Sequence, residues 1–109
     1  MKIVIFGASG RTGQHLISQA LERGHTVTAF ARTPGKIQVR HERLQIKQGD
    51  VHDVNAVEQA VIGQDVVLCA LGINKDEPVT ALADGTKIII TAMRNHQIRR
   101  ILNISAAGF

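Results

Sequence analysis

The sequence predicts an α/β fold: a doubly wound parallel sheet of strand order 3-2-1-4-5 with helices on both faces. Three observations carry that expectation. Strand-like and helix-like segments alternate along the whole chain with short breaks and no repeat or linker. The apolar run Ile3-Val4-Ile5-Phe6 leads directly into a glycine-rich turn, Gly7-Ala8-Ser9-Gly10-Arg11-Thr12-Gly13, and an amphipathic segment follows at once. Right-handed crossovers between parallel strands then set the order, which reverses between the first and fourth strands, so a ligand is expected beyond the strands' carboxyl ends at that point.

The elements follow in order. A first strand is expected over Lys2 to Phe6 and a first helix over about Thr12 to Arg23, with Leu16, Ile17, Ala20 and Leu21 on one face and a stop before Gly24. The second strand runs from Thr26 to Ala31. After a loop holding Pro34 and Gly35, Leu44 and Ile46 alternate with Arg43, Gln45 and Lys47, the pattern of a strand near a sheet edge, which Gly49-Asp50 closes. Asp53 suits the N-cap of a helix whose Val54, Val57 and Val61 recur at helical spacing, and Gly63 suits its stop. Val66 to Ala70 is a buried fourth strand. Pro78 suits the start of a third helix with Gly85, Ile88, Ile89, Ala92 and Met93 as its inner face, and Arg100 to Ile104 is the fifth strand.

Composition bounds the function. The 109 residues are 44% apolar, which suits one domain over residues 1–109 and excludes a disordered class. No stretch approaches the ~20 apolar residues that cross a bilayer. Met1-Lys2 enters a short strand without the apolar core of a secretory signal, so a cytoplasmic protein with no membrane partner is expected. Cys69, the single cysteine, lies in an apolar run and reads as a core residue. The net charge of +4 comes without a Lys/Arg block, and the aromatics are limited to Phe6, Phe30 and Phe109. No nucleic-acid partner is therefore expected, and the excess charge reads as local to an anionic ligand. His15, His25, His41, His52 and His96 share no metal-site spacing, so no metal is expected.

The glycine turn in its strand-to-helix setting is what a dinucleotide pyrophosphate requires. Its glycines allow a tight turn and close backbone approach, and the helix N-terminus presents unpaired N–H groups and a positive dipole end. Arg32 follows the second strand, where NAD-preferring domains commonly place an acid against the ribose hydroxyls; a cation there favours a 2'-phosphate, with Arg11 and Lys36 adding charge. NADP(H) is thus expected over NAD(H), although Arg32 also fits a solvated loop cation. Asp50 suits an acceptor for the adenine amino group with Val51 over the ring, or equally a turn residue that satisfies local backbone donors. Gly72 offers backbone access near the nicotinamide ribose or serves a turn. Ser105 is the one weak catalytic candidate, and Asp76 and Glu77 read as helix-start acids.

Taken together, residues 7–13, Ala31-Arg32-Thr33-Pro34, Gly49-Asp50-Val51, Gly63-Gln64-Asp65-Val66-Val67 and Asp84-Gly85-Thr86 resemble the atypical short-chain dehydrogenases of the NAD(P)H-binding, NmrA-like type. The resemblance covers nearly the whole chain. It implies a Rossmann-like fold, NADPH as hydride donor, and a flavin, quinone or related conjugated acceptor. It also assigns Gly7, Ser9, Gly10, Arg11, Thr12 and Gly13 to the phosphate loop, Arg32 to the 2'-phosphate, Asp50 and Val51 to the adenine pocket, and Leu71 and Gly72 to the ribose side. Two departures qualify the transfer. The chain holds no tyrosine, so the Tyr-x-x-x-Lys acid/base pair of ordinary short-chain dehydrogenases is absent from it, and a non-catalytic NADP(H)-sensing regulatory domain is the alternative function. Family members are also considerably longer, and this chain resembles their cofactor-binding half. The fifth strand is then an apolar edge, open to pairing with a second copy.

Overall fold

Strand β1 (Lys2–Phe6) forms the centre of a five-stranded sheet and is flanked by β2 (Thr26–Ala31) and β4 (Val66–Cys69), with β3 (Leu44–Gln48) and β5 (Arg100–Asn103) at the edges. The order is β3-β2-β1-β4-β5 and every pair is parallel, as expected. The computed structural model describes residues 1–8, 10–70, 79–98 and 100–103. Ser9, Leu71, Gly72, Asp76, Glu77, Pro78 and Ser105 therefore lie outside the described residues.

Alternation along the strands divides the core into two layers, because successive side chains point to opposite faces. Ile3, Ile5, Val27, Ala29 and Leu68 face α1 (Arg11–Glu22), meeting Ile17, Ala20 and Leu21, and Ile37 fills in beside them. Val4, Phe6, Phe30, Val67 and Cys69 face α2 (Val54–Val61) and α3 (Val79–Asn95), meeting Val57, Val61, Ile89, Ala92 and Met93. Helices thus cover both faces. Phe6 and Phe30 are register partners in β1 and β2, and their rings lie 5.0 Å apart at 56°. Such a pair contributes about 0.5–1.5 kcal/mol beyond the area it buries.

Helix boundaries follow local chemistry. Gly24 adopts φ +86° just after α1, and its N–H donates to the Leu21 carbonyl at 3.1 Å, closing the helix. Asp53 caps α2 as expected, its carboxylate accepting from the Ala56 N–H at 3.3 Å, and Gly63 with φ +77° follows the helix end. Helix α1 begins at Arg11, one residue before the expected start near Thr12. Val54 opens α2 directly after the cap and is 51% exposed, while Val57, Ala60 and Val61 carry the contact. One expectation needs correction: not all the positive charge lies at a ligand edge. The Arg43 guanidinium donates to the Leu21 carbonyl at 2.8 Å, where a cation suits the carboxyl end of α1, and Arg40 donates to the carbonyls of Ile37 and Val39.

Candidate functional site

The carboxyl ends of β1, β2 and β3 lie side by side, and hydrogen bonds beyond the strands hold the following loops together there. The Ala8 N–H donates to the Phe30 carbonyl at 3.3 Å, the Gly49 N–H to the Ala31 carbonyl at 3.0 Å, and the Ala70 N–H to the Phe6 carbonyl at 2.9 Å. This edge brings together residues 7–13, Arg32 and residues 49–51. Of the sequence-predicted site, Gly7, Gly10, Arg11, Thr12, Gly13, Arg32, Asp50 and Val51 are described and share it, whereas Ser9, Leu71, Gly72 and Ser105 fall outside the described residues.

Each glycine of the turn has its own physical reason. Gly7 adopts φ +76°, a conformation that L side chains rarely enter, and so reverses the chain at the end of β1. Gly13 is buried, and a Cβ there would lie 2.4 Å from the Gly7 carbonyl oxygen and 2.7 Å from the Ala8 Cα. Only glycine lets α1 lie that close to the turn. Among the described residues, a Cβ at Gly10 would meet only the Gly7 oxygen, at 3.6 Å. Gly10 is also the N-cap of α1 and makes no side-chain cap hydrogen bond, in contrast to Asp53 on α2. An uncapped helix start behind a glycine cradle leaves backbone N–H donors and the positive dipole end for an anion. These residues fit a pyrophosphate.

Arg32 is exposed directly after β2. The segment beyond it folds into a 3-10 turn, Pro34–Lys36, closed by Lys36 N–H to Thr33 O at 3.1 Å and Ile37 N–H to Pro34 O at 3.0 Å. Fully buried Ile37 anchors this segment in the core beneath α1. Across the edge, Gly49 brings the chain over the Phe30 ring, where a Cβ would sit 2.7 Å from its Cζ. Asp50 follows. Its Oδ1 accepts from the His52 N–H at 2.9 Å and lies 3.0 Å from His52 Nδ1. The His52 N–H is the main cause holding this carboxyl below its ordinary value; the His52 ring and the Arg32 charge add to it, and partial burial opposes. The local turn bond weighed for Asp50 in the sequence is therefore present. Val51 is partly buried against the α2-side core.

Sequence reasoning missed three features. The contact between His52 and Asp50 was not anticipated, although a place two residues after an aspartate is the spacing of an Asx turn and could have signalled it. The packing of Gly49 on Phe30 and the hydrogen bond from the Gln38 N–H to Gln14 Oε1, 3.1 Å long, join distant segments and left no local signal. That second bond stands beside a groove of about 400 Å³ lined by Arg11, Gln14, His15, Ser18, Gln38 and Val39, which runs from the start of α1 along its flank. Cys69 is buried as expected, and burial pushes its thiol up to about 11, so it is neutral and unreactive near neutral pH. Among the described residues no helix is long and apolar enough to cross a membrane.

A glycine cradle and an uncapped helix start, placed where the strand order reverses, define a Rossmann-fold dinucleotide-binding domain. The chain belongs to the NAD(P)H-binding family, whose model matches residues 7–109. It is 31% identical over 108 residues to the Bacillus subtilis protein YwnB, covering 99% of this chain and 48% of that protein. A Rossmann-fold NAD(P)-binding family protein from Shigella flexneri is similar with a TM-score of 0.79 and 32% identity, covering 92% of this chain and 49% of the other. A wide-type short-chain dehydrogenase/reductase from Veillonella parvula, solved in complex with NADP, is similar with a TM-score of 0.77 and 28% identity, over 98% and 48% of the two chains. The chain spans about half the length of these relatives.

Proposed function

We propose that this chain is the NADP(H)-binding part of an oxidoreductase that passes hydride to a flavin, quinone or similar conjugated acceptor. The observation that carries the reading is the phosphate cradle of Gly7, Gly10 and Gly13, combined with a cation, Arg32, at the end of β2 where an acid would select NAD(H). The Veillonella relative with NADP bound supports the cofactor class. The acceptor class rests on the sequence likeness to biliverdin reductase B, a flavin reductase.

Within this reading the chain's own residues bind and orient. The N–H groups at the start of α1 receive the pyrophosphate, Arg32 with Arg11 and Lys36 offsets a 2'-phosphate, and Asp50 with Val51 receives the adenine. A reduced nicotinamide, when bound, supplies the hydride, so the protein's part is largely to hold two rings in register. A second reading is a dinucleotide-sensing regulator of the NmrA-like type, in which the cradle binds without turnover.

Calorimetric titration of NADPH and NADH into the wild type and Arg32→Asp tests the cofactor assignment. The expected result is a preference for NADPH that the substitution removes; equal binding of both nucleotides by the wild type would overturn it. NADPH oxidation in the presence of flavin or quinone separates enzyme from sensor.

A further inference from the structure

We infer that Gln14 is a positioning residue for nicotinamide-cofactor selectivity: its side chain fastens the Arg32–Lys36 segment to α1 and so fixes the cations that read the 2'-phosphate. The inference rests on the NADP(H) reading above and names a residue that does not itself contact the phosphate in that reading.

The segment after β2 carries two of the three cations expected at the 2'-phosphate, Arg32 and Lys36, both exposed. Two contacts tie this segment to the core and to α1. Ile37 is a buried apolar anchor, which sets the depth of the segment beneath α1 but is non-directional. The second tether has direction: Gln14 Oε1 accepts from the Gln38 backbone N–H at 3.1 Å, linking residues 24 apart in the sequence. Gln14 lies one helical turn after Arg11, the third cation, and its own N–H donates to the Gly10 carbonyl at 2.9 Å, closing the first turn of α1 behind the phosphate cradle. One residue thus ties the cradle's helix to the segment bearing Arg32 and Lys36. The groove shared by Arg11, Gln14 and Gln38 lies along this junction. Within the same loop, Arg40 bonds the carbonyls of Ile37 and Val39. Charge recognition depends on placement, so losing the Gln14 acceptor should affect the nucleotide that carries the extra phosphate and spare the one that lacks it.

The test measures dissociation constants for NADPH and NADH by calorimetry on the full chain, with Gln14→Met as the variant. Methionine keeps the side chain's length and helix propensity but provides no comparable acceptor. Arg32→Ala and Ser18→Ala serve as companions, and thermal melts accompany each. The expected result is that Gln14→Met lowers the NADPH-over-NADH preference about three- to tenfold, the equivalent of one net hydrogen bond, while NADH affinity is unchanged. An equal weakening of both nucleotides would overturn the inference, since a general structural role predicts that. Unchanged selectivity in Gln14→Met beside lost selectivity in Arg32→Ala would overturn the inference and leave the NADP(H) reading standing. Unchanged selectivity in Arg32→Ala would overturn the NADP(H) reading itself, and this inference with it. A loss in Ser18→Ala as large as in Gln14→Met would overturn the inference by assigning the effect to the groove as a whole. Should Gln14→Met fail to melt cooperatively, Gln14→Glu supplies the second arm: it retains an acceptor for the Gln38 N–H, so at high salt, where its added charge is screened, the NADPH-over-NADH preference should stay within about twofold of the wild type, and a loss there as large as in Arg32→Ala would overturn the inference.

Discussion

Replacing Gly13 with alanine sets helix propensity against packing, and the structure decides the winner. In an exposed helix interior this change stabilises by up to about 1 kcal/mol. Here the new Cβ would lie 2.4 Å from the Gly7 oxygen, 2.7 Å from the Ala8 Cα and 3.0 Å from the Ala8 carbonyl carbon, all of them backbone atoms that cannot rotate away. The closest contact falls 0.6 Å short of the 3.0 Å limit that Cβ atoms observe, so the turn and α1 must separate by at least that much. Overpacking of this kind costs about 1–3 kcal/mol. After the propensity gain is subtracted, the net loss of about 0–2 kcal/mol corresponds to a fall in Tm of up to roughly 16 °C for a domain of this size. Binding should suffer more than folding, because a recognition site tolerates displacements of only about 0.5 Å; NADPH affinity is expected to fall more than tenfold. Gly10→Ala is the matched control, since its Cβ meets a single atom at 3.6 Å. It should melt like the wild type and yet bind NADPH more weakly, because the methyl occupies the side left open for pyrophosphate. Scanning calorimetry and isothermal titration read both quantities. A Gly13→Ala protein with wild-type Tm and NADPH affinity would refute the reasoning.

Other outcomes follow from single contacts. Asp53→Ala removes the α2 cap and should destabilise by about 0.5–2 kcal/mol without changing nucleotide affinity, as chemical denaturation and titration would show. Gly24→Ala meets no atom within 4 Å but forces φ +86° on an L residue, so it should cost about 1–2 kcal/mol through backbone conformation alone. Asp50 has its folded pKa lowered from 3.8, so its contribution to stability is complete above 3.8 and is lost as pH falls through the lower folded value. Carboxyl NMR should show the low midpoint, and Asp50→Asn should flatten that acid limb. Burial raises the Cys69 thiol from 9.0 to about 11, so its effect runs the other way: its contribution is constant below pH 9 and stability declines as pH rises towards 11. Ellman's reagent at pH 8 should label Cys69 at the rate of unfolding.

The legibility of this fold varies with the range of the interactions that make it. The strand order, the five parallel strands and the two-sided helix cover follow from period-2 and period-3.6 patterning joined to one topological rule, and all were legible. The glycine turn between β1 and α1 was legible because Gly7, Gly10 and Gly13 lie within one short stretch beside the strand that precedes them. The cations could be counted but not sorted, since Arg43 looks like any loop arginine until the fold brings the Leu21 carbonyl within 2.8 Å of it. The Gln14–Gln38 tether was invisible for the same reason: glutamine on a helix has no local signature of a partner 24 residues away.

The Asp50–Arg32 relation leads to a sharper statement about selectivity than a tally of cations does. Arg32 lowers the pKa of Asp50, so the two charges sense each other across the ends of β2 and β3. With NADH bound, that attraction persists. In the proposed NADPH complex the 2'-phosphate would compete for the same guanidinium and meet Asp50 as a like charge. Arg32→Ala therefore does two things at once: it removes the phosphate's cation and leaves Asp50 unscreened beside it. In a double-mutant cycle read as the NADPH-over-NADH preference, contacts common to both nucleotides, adenine included, cancel. Asp50→Asn introduced into Arg32→Ala should then restore part of the lost preference, about 0.2–1 kcal/mol given that the groups are solvent-exposed, and less at high salt. Additive single and double variants at low salt would show that Asp50 serves adenine and the turn alone, and that selectivity rests on the cations without the carboxylate between them.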